Sequence, residues 1–392
     1  MSEEKLVPKL RFIEETWSSE KLGNLCKITM GQSPSSKNYS KNSNDTILIQ
    51  GNADLIRGKI VPRIYTSEIT KLSYPGDIIL TVRAPVGDLA INEFDSCIGR
   101  GVCSIKGNKF IYYYLESLKD KHVWERLSQG STFESINSND IKNLNLKIPS
   151  NSTQNHIINF LTAIDTKIEL LQKKHSEYLR FKQYLMQNIF ADKSAEKLRF
   201  NFIDDWDVVK LETLIEKGKA GGTPPSTNPD YYNGEIPFLS IKDMTEQGKY
   251  IVKTEKSITE EGLNNSSAWI IPKYSLLYSI YASIGLVSIN LTEVSTSQAI
   301  YGIILKEGVS LEYMYYYLTY FKKNIHRYVE TGTQGNLNAK LLKSFEIALP
   351  SVDEQEMIVN ILSLVDKKIE NMEKEVGKMN EFKKGLIQQM FI

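Results

Sequence analysis

The sequence predicts an α+β protein: two pseudo-symmetric mixed α/β domains separated by two long antiparallel coiled-coil helices. Three observations carry this. The 392 residues match themselves, in order, at a separation near half the chain length. Each copy ends in sustained heptad spacing, and the rest of each copy alternates short β-rich runs with Gly/Pro turns. The segmentation that follows is an N-terminal segment 1–16, a first domain 17–149, a central helix 150–190, a linker 191–205, a second domain 206–350 and a distal helix 351–392.

The repeat is traceable residue by residue. Trp17-Ser-Ser-Glu-Lys-Leu22 returns as Trp206-Asp-Val-Val-Lys-Leu211, and Gly31-Gln-Ser-Pro34 is matched to Gly222-Thr-Pro-Pro225, at separations of 189 and 191. Pro75–Gly87 aligns with Pro272–Gly285, the Tyr-rich block at Phe110 with that at Tyr313, and Pro149-Ser150 with Pro350-Ser351 at 201. Within each domain, runs such as Asp77–Val82 and Leu276–Ile280 read as strands of one strongly bent sheet carrying a single aromatic helix, Phe110–Leu127 or Leu311–Tyr328. Tyr112-Tyr113-Tyr114 and Tyr315-Tyr316-Tyr317 lie at helical spacing beside leucines, which favours packing over base stacking.

The copy ends are the most regular part. Ile157, Leu161, Ile164, Ile168, Leu171, His175, Tyr178, Lys182, Leu185 and Ile189 alternate at four and three. Ile358, Leu362, Val365, Ile369, Met372, Val376, Met379, Lys383, Leu386 and Met390 repeat them 201 residues later, including the lysine. Four-three spacing over so many heptads is a coiled-coil seam, and the two helices are each other's expected partners. Ser351-Val-Asp-Glu354 reads as a capping box, and Ser152 or Thr153 as the cap of the first helix. The helix 153–190 would be roughly 55 Å long at about 1.5 Å per residue. Phe160, Phe181, Tyr184, Phe190, Phe382 and Phe391 fall outside the seam and are expected to leave apolar surface for partner helices.

Composition removes several function classes. The content is 41% hydrophobic and 24% charged, the net charge is +1, no apolar run spans a bilayer, and the start lacks a signal-peptide core, so a cytoplasmic protein without membrane partners is expected. Cys26, Cys97 and Cys103 form no metal-binding pair, and His122, His156, His175 and His326 lack metallohydrolase spacing. No phosphate-binding glycine loop occurs. Asn228-Pro229-Asp230-Tyr231 resembles a methyltransferase Asn-Pro-Pro-aromatic motif but lacks the second proline and a cofactor loop, and reads as a turn. Asp165-Thr-Lys167 and Asp366-Lys-Lys368 resemble half of a nuclease site, but i,i+4 pairing on a long helix explains them.

Gly221 through Phe238 with Ser240-Ile-Lys-Asp-Met244, Gly76–Gly87, Cys97-Ile-Gly-Arg-Gly101, Gly130-Ser-Thr-Phe133 and the Leu-Pro-Ser-x-x-Glu-Gln355 start of the last helix resemble one family: the specificity subunit of type I restriction-modification enzymes. In that family the first copy more often has Gly-Thr-Pro where this chain has Gly31-Gln-Ser-Pro34, and a glutamate before Gln154. The resemblance implies a non-catalytic subunit in which each target-recognition domain reads one half of a bipartite, asymmetric double-stranded DNA site. It also implies that the paired helices dock two methyltransferase subunits, that two restriction (motor-nuclease) subunits join, and that this chain holds no cofactor, AdoMet, ATP and Mg being used by its partners. The rival readings are a single-chain methyltransferase or nuclease, and a scaffold whose domains bind protein.

Two readers on one face of a duplex need centres about 34–36 Å apart, which the rod can set, leaving a spacer of roughly five to eight unread base pairs. Residues 17–149 carry 17 basic and 13 acidic residues, +4, whereas 206–350 carry 14 and 15, −1. Weak DNA binding by the chain alone is therefore expected. Side chains able to address bases or phosphates define the expected DNA-binding sets: Lys37, Arg57, Lys59, Arg63, Arg83, Arg100, Ser131 and Thr132 in the first domain, and Lys217, Lys219, Lys242, Tyr281, Gln298, Thr333, Gln334 and Asn336 in the second.

Overall fold

The computed structural model describes residues 10, 12–13, 15–128, 135–191, 198–200, 202, 204–281, 283–327 and 337–391. They form two compact units, Met1–Lys173 with Glu373–Ile392, and Lys174–Met372. Each unit thus takes one globular copy and half of each long helix, so the unit boundaries fall inside the helices rather than at their ends. Among the described residues, no helix is long and apolar enough to cross a membrane.

The first copy runs β1 (Ser18–Lys21), β2 (Lys27–Met30), β3 (Lys59–Ile60), β4 (Ile78–Thr81), β5 (Leu89–Ile91), β6 (Val102–Lys106), α1 (Lys109–Asp120) and β7 (Asn145–Ile148), followed by the long helix α2 (Asn151–Ile189). The second runs β8 (Asp207–Lys210), β9 (Ile215–Ala220), β10 (Tyr250–Ile251), β11 (Leu276–Ser279), β12 (Val287–Asn290), β13 (Ile300–Leu305), α3 (Leu311–Phe321) and β14 (Glu346–Leu349), followed by α4 (Val352–Met390). The main sheets share one order, β2–β6–β4–β5–β3 and β9–β13–β11–β12–β10, with Leu55–Ile56 added at the edge of the first. In both, only the last of these pairings is parallel. Ribbons β1–β7 and β8–β14 close the copies.

A single bent sheet was expected, but among the described residues each copy has two besides its ribbon. Short strands between 39 and 98 form a second, five-stranded sheet in the first copy, and Tyr232–Leu239 leads a three-stranded one in the second. Several of these strands are two residues long, too short for alternation to show in sequence. The register also corrects the repeat alignment by one residue. Gly31 N–H donates to Val102 O and Gly221 N–H to Ile300 O, both at 3.0 Å, which makes Gly31 the equivalent of Gly221 rather than Gly222. Each needs to be glycine, because a Cβ would stand 2.1 Å from the carbonyl oxygen of Gly99 or Thr296.

The aromatic helices are shorter than the spacing suggests. After α1 the chain breaks at His122, which takes φ +53°, before a separate helix Val123–Ser128; after α3 it tightens into a 3₁₀ turn at Lys322–Arg327. Asn108 and Ser310 cap α1 and α3 by accepting the amides of Ile111 and Tyr313. Phe110, Tyr113, Tyr114 and Leu115 are buried in the first core, Tyr313 through Leu318 in the second, so the tyrosine blocks are packing residues.

The seam pairs as expected within each unit. In the first, Ile157, Leu161, Ile164 and Ile168 share a core with Leu386, Ile387, Met390 and Phe391, and Leu171 is buried. In the second, Ile358, Leu362 and Val365 share one with Leu185, Met186 and Ile189, with Ile369 packed against it and Met372 half-buried. Lys383 reaches Asp165 in the first unit and Lys182 reaches Asp366 in the second, which fixes an antiparallel register within each. Ser150, not Ser152 or Thr153, starts α2, accepting the amide of Thr153; Ser351 accepts that of Glu354. The expected capping box is only half formed, because the Glu354 carboxylate turns instead to Arg199 and to Trp206 Nε1, both at 2.9 Å. Gln154 and Gln355 bind the carbonyls of Pro149 and Pro350 and accept from Asn108 Nδ2 and Ser310 N–H, tying each long helix to the cap of its aromatic helix.

Phe190 and Phe391 are not free rod surface. Phe190 is buried among Trp206, Tyr313, Tyr317 and Tyr320, and Phe391 against Phe110 and Tyr114, because the last turn of each helix passes beneath a globular copy. Phe12 packs edge-on against Phe160. Phe181, Tyr184 and Phe382 remain exposed.

Candidate nucleic-acid interface

The end of β4 leads into a loop that Thr81 holds at both sides: its hydroxyl donates to Pro85 O and accepts the Asp88 amide, each at 2.8 Å. Ser279 does the same after β11, with Ser283 O and the Leu286 amide, again at 2.8 Å. Gly87 (φ +95°) and Gly285 (φ +83°) close these loops, and a Cβ there would run into Trp124 or Ile325. At the head of each loop, Val82 N–H donates to Gly101 O and Ile280 N–H to Ala299 O, both at 2.9 Å. The side chains flanking these pairs are exposed: Arg83 and Arg100 in the first copy, Tyr281 and Gln298 in the second.

Four expected DNA-binding residues therefore occupy two pairs of equivalent positions. A hydroxyl from the glycine turn joins each pair. Ser33 Oγ accepts the Arg100 amide at 3.1 Å, and the Thr223 hydroxyl donates to Gln298 Oε1. Ile136 and Leu337 each donate a backbone hydrogen bond to the residue that heads the loop, Val82 or Ile280. Ser33 and Thr223 were not among the expected residues; their place two positions after Gly31 and Gly221 was the available signal.

The other expected residues scatter. Lys37 is exposed on a short 3₁₀ turn, and Arg63 lies 4.0 Å from Asp54. Arg57 and Lys59 instead line a cavity against α1 and α2, with Lys59 paired to Glu169 at 2.9 Å. Lys217 and Lys219 point outward from β9, the former with its ammonium 5.1 Å from the Trp269 ring centre. Lys242 is exposed and pairs with Glu255 at 2.8 Å. Ser131, Thr132, Thr333, Gln334 and Asn336 lie outside the described residues.

A second constellation, missed in the sequence, fixes each copy to its long helices. Tyr113 donates to Asp165 at 2.6 Å and Asp165 pairs with Lys383 at 2.9 Å; Tyr316 donates to Asp366 at 2.7 Å and Asp366 pairs with Lys182 at 2.6 Å. The aspartates are thus explained by a lysine across the seam and a tyrosine above it, not by i,i+4 pairing. Burial, reinforced by the adjacent aspartate, raises both phenols, so each stays a proton donor.

The family described as type I restriction modification DNA specificity domain matches residues 14–178 and again 203–378. The chain is 37% identical over 195 residues to a putative type I restriction enzyme MjaX specificity subunit of Methanocaldococcus jannaschii, a match covering 47% of this chain and 45% of that protein. It thus spans about half the length of that relative. It is 24% identical to the type I restriction enzyme HindI specificity subunit of Haemophilus influenzae, over 67% of this chain and 72% of that one. The fold is similar to that of the type I restriction-modification system S subunit from M. genitalium, with a TM-score of 0.60 at 17% identity and 99% of both chains covered. Matched twice over most of its length, the chain belongs to the type I restriction-modification DNA specificity family.

Proposed function

We propose that this chain is the non-catalytic specificity subunit of a type I restriction-modification enzyme, each copy reading one half of a bipartite, asymmetric DNA site. One observation carries the reading. The two copies present different side chains, Arg83 and Arg100 against Tyr281 and Gln298, from equivalent positions on the same loop frame. Arg favours guanine, Gln favours adenine, and loops on a rigid sheet are where reading groups belong. A frame kept twice with its reading groups changed is what an asymmetric two-part site demands.

The antiparallel helices act as the spacer, and the Tyr–Asp–Lys groups hold each reader on it. The exposed Leu179, Phe181 and Tyr184 of α2 and Phe382 of α4 supply apolar surface on which methyltransferase subunits dock. In this reading AdoMet, ATP and Mg²⁺ chemistry belongs to the methyltransferase and motor-nuclease partners, and the complex works in the cytoplasm. The test is to reconstitute the chain with its methyltransferase subunits and map N6-methyladenine. Two short blocks separated by an unread gap are expected; one uninterrupted motif overturns the reading. Methylation by the chain alone would favour a single-chain enzyme.

A further inference from the structure

The two units differ most where the aromatic helix meets the long helices. In the second, the ammonium of Lys249 lies 4.4, 5.2 and 5.0 Å from the ring centres of Tyr316, Tyr315 and Tyr250, and 3.0 Å from Tyr316 Oη. Its backbone is placed by Ile289 N–H, which donates to Lys249 O at 2.8 Å. The equivalent bond in the first unit runs from Ile91 N–H to Gly58 O at 3.1 Å. Gly58 therefore stands where Lys249 stands, without a side chain. It could not carry one unaided, since a Cβ would lie 2.7 Å from Tyr112 Oη and φ is +77°.

A second exchange sharpens the first. Glu116 replaces Thr319 on the aromatic helix, at the same step after the tyrosines. In the second unit Lys182 pairs with Asp366 and Lys249 reaches it through the Tyr316 hydroxyl, with Glu312 and Glu370 also acting on Lys249; in the first, the single Lys383 faces both Asp165 and Glu116, at 2.9 and 3.1 Å. Beneath its tyrosines the first unit thus sets two carboxylates on one ammonium. In place of the Lys249 side chain the first unit has a cavity of about 710 Å³, lined by Gly58, Tyr112, Tyr113, Glu116 and Asp165 among others. Of the three further lining carboxylates, Glu169 pairs with Lys59 and Asp88 with Lys119, and Glu93 is exposed. The exposed Arg57 and Lys109 also line it, toward its open side.

We propose that this cavity binds a small alkylammonium ion, its charged end lying among Glu116, Asp165 and the Tyr112 and Tyr113 rings as Lys249 lies in the second copy. Ring faces and carboxylates are the recognition groups for such an ion. Burial lifts the Glu116 carboxyl above its usual range despite Lys383, and a further cation would offset that cost.

The experiment is calorimetric titration of the full chain, without DNA and at constant ionic strength, with 1,4-diaminobutane and with its uncharged analogue 1,4-butanediol. One saturable diamine site is expected, and none for the diol. Glu116→Gln should weaken the site by about tenfold or more, the scale of one lost charge-assisted contact. Thr166→Lys changes an exposed helix residue that lines the cavity, fills it with an ammonium, and should abolish binding; it decides the matter if Glu116→Gln fails to fold. Absence of saturable heat, equal binding of the diol, or undiminished diamine affinity in folded variants overturns the proposal.

Discussion

The two copies grip the long helices with the same three groups but start those helices differently. In the second, Glu354 is 2% exposed and its carboxylate holds Arg199 and Trp206. In the first, Thr153 stands in its place, and Glu15 reaches in to accept the Ser150 amide at 3.2 Å. The same job, fixing the first turn of a long helix to the chain before the domain, falls to a buried carboxylate in one copy and to a more exposed one in the other. A duplicated frame thus tolerates exchange of its fastenings so long as geometry is kept. The loops proposed to read DNA take this further: the frame hydrogen bonds of Val82 and Ile280 are matched while the flanking side chains are not.

The fastening difference predicts the largest effect. Glu354→Ala removes a buried carboxylate that binds both a part-buried guanidinium and an indole N–H and should cost about 3 kcal/mol, read as a large fall in the melting temperature. Glu15→Ala, at an exposed capping contact, should cost about 1 kcal/mol or less. Comparable losses would erase the distinction between the copies.

Next come the central aspartates. Asp366→Asn removes the only carboxylate seen on Lys182 among the described residues and should cost about 2 kcal/mol, since hydrogen bonds to charged groups contribute about 1.5–3 kcal/mol. Asp165→Asn should cost about half as much, because Glu116 still serves Lys383. Urea unfolding of the two variants gives the ratio directly, and the reverse order would mean that Glu116 is not a working partner.

At the reading loops, Arg100→Ala and Gln298→Ala in the assembled complex should each cost about 1–3 kcal/mol of discrimination, at different halves of the site. Lys217→Ala should weaken binding evenly across sequences and lower its salt dependence. Competition binding with half-site variants separates these outcomes.

The smallest effect is a pH dependence confined to the first copy. Burial, opposed by Lys383, raises the Glu116 carboxyl above its usual 4.5. Just above that pH the native state holds a proton the unfolded chain has released, so stability falls as pH rises through the window up to the native value. Glu116→Gln should remove this part of the slope; Thr319 gives the second copy no counterpart. Melting temperatures of wild type and variant across about pH 4–7, a span that starts near the usual carboxyl value, test the sign.

What could be read in the sequence followed from periodicity. The seam from Ile157 to Ile189 and from Ile358 to Met390 repeats often enough that its phase, its partner and its lysines were legible. The loops that carry Arg83 and Tyr281, proposed above to read DNA, were legible as turns through Gly87 and Gly285. Asp165 and Asp366 were not, because a carboxylate one step off a seam looks like ordinary helix surface until the tyrosine above it is placed. Phe190 and Phe391 misled for the converse reason: heptad position says which face a residue occupies, not whether a domain covers that face. The one-residue slip between Gly31 and Gly222 arose where the loops carry no repeating pattern to hold the register.

Replacing residues 17–149 with the matching region of another family member, then mapping methylated adenines in cells that also hold the partner subunits, addresses the central claim most directly. One block of the methylated motif should change, while the other block and the gap between them stay as they were. A motif altered in both blocks, or in neither, would contradict the claim that each copy reads its own half of the site.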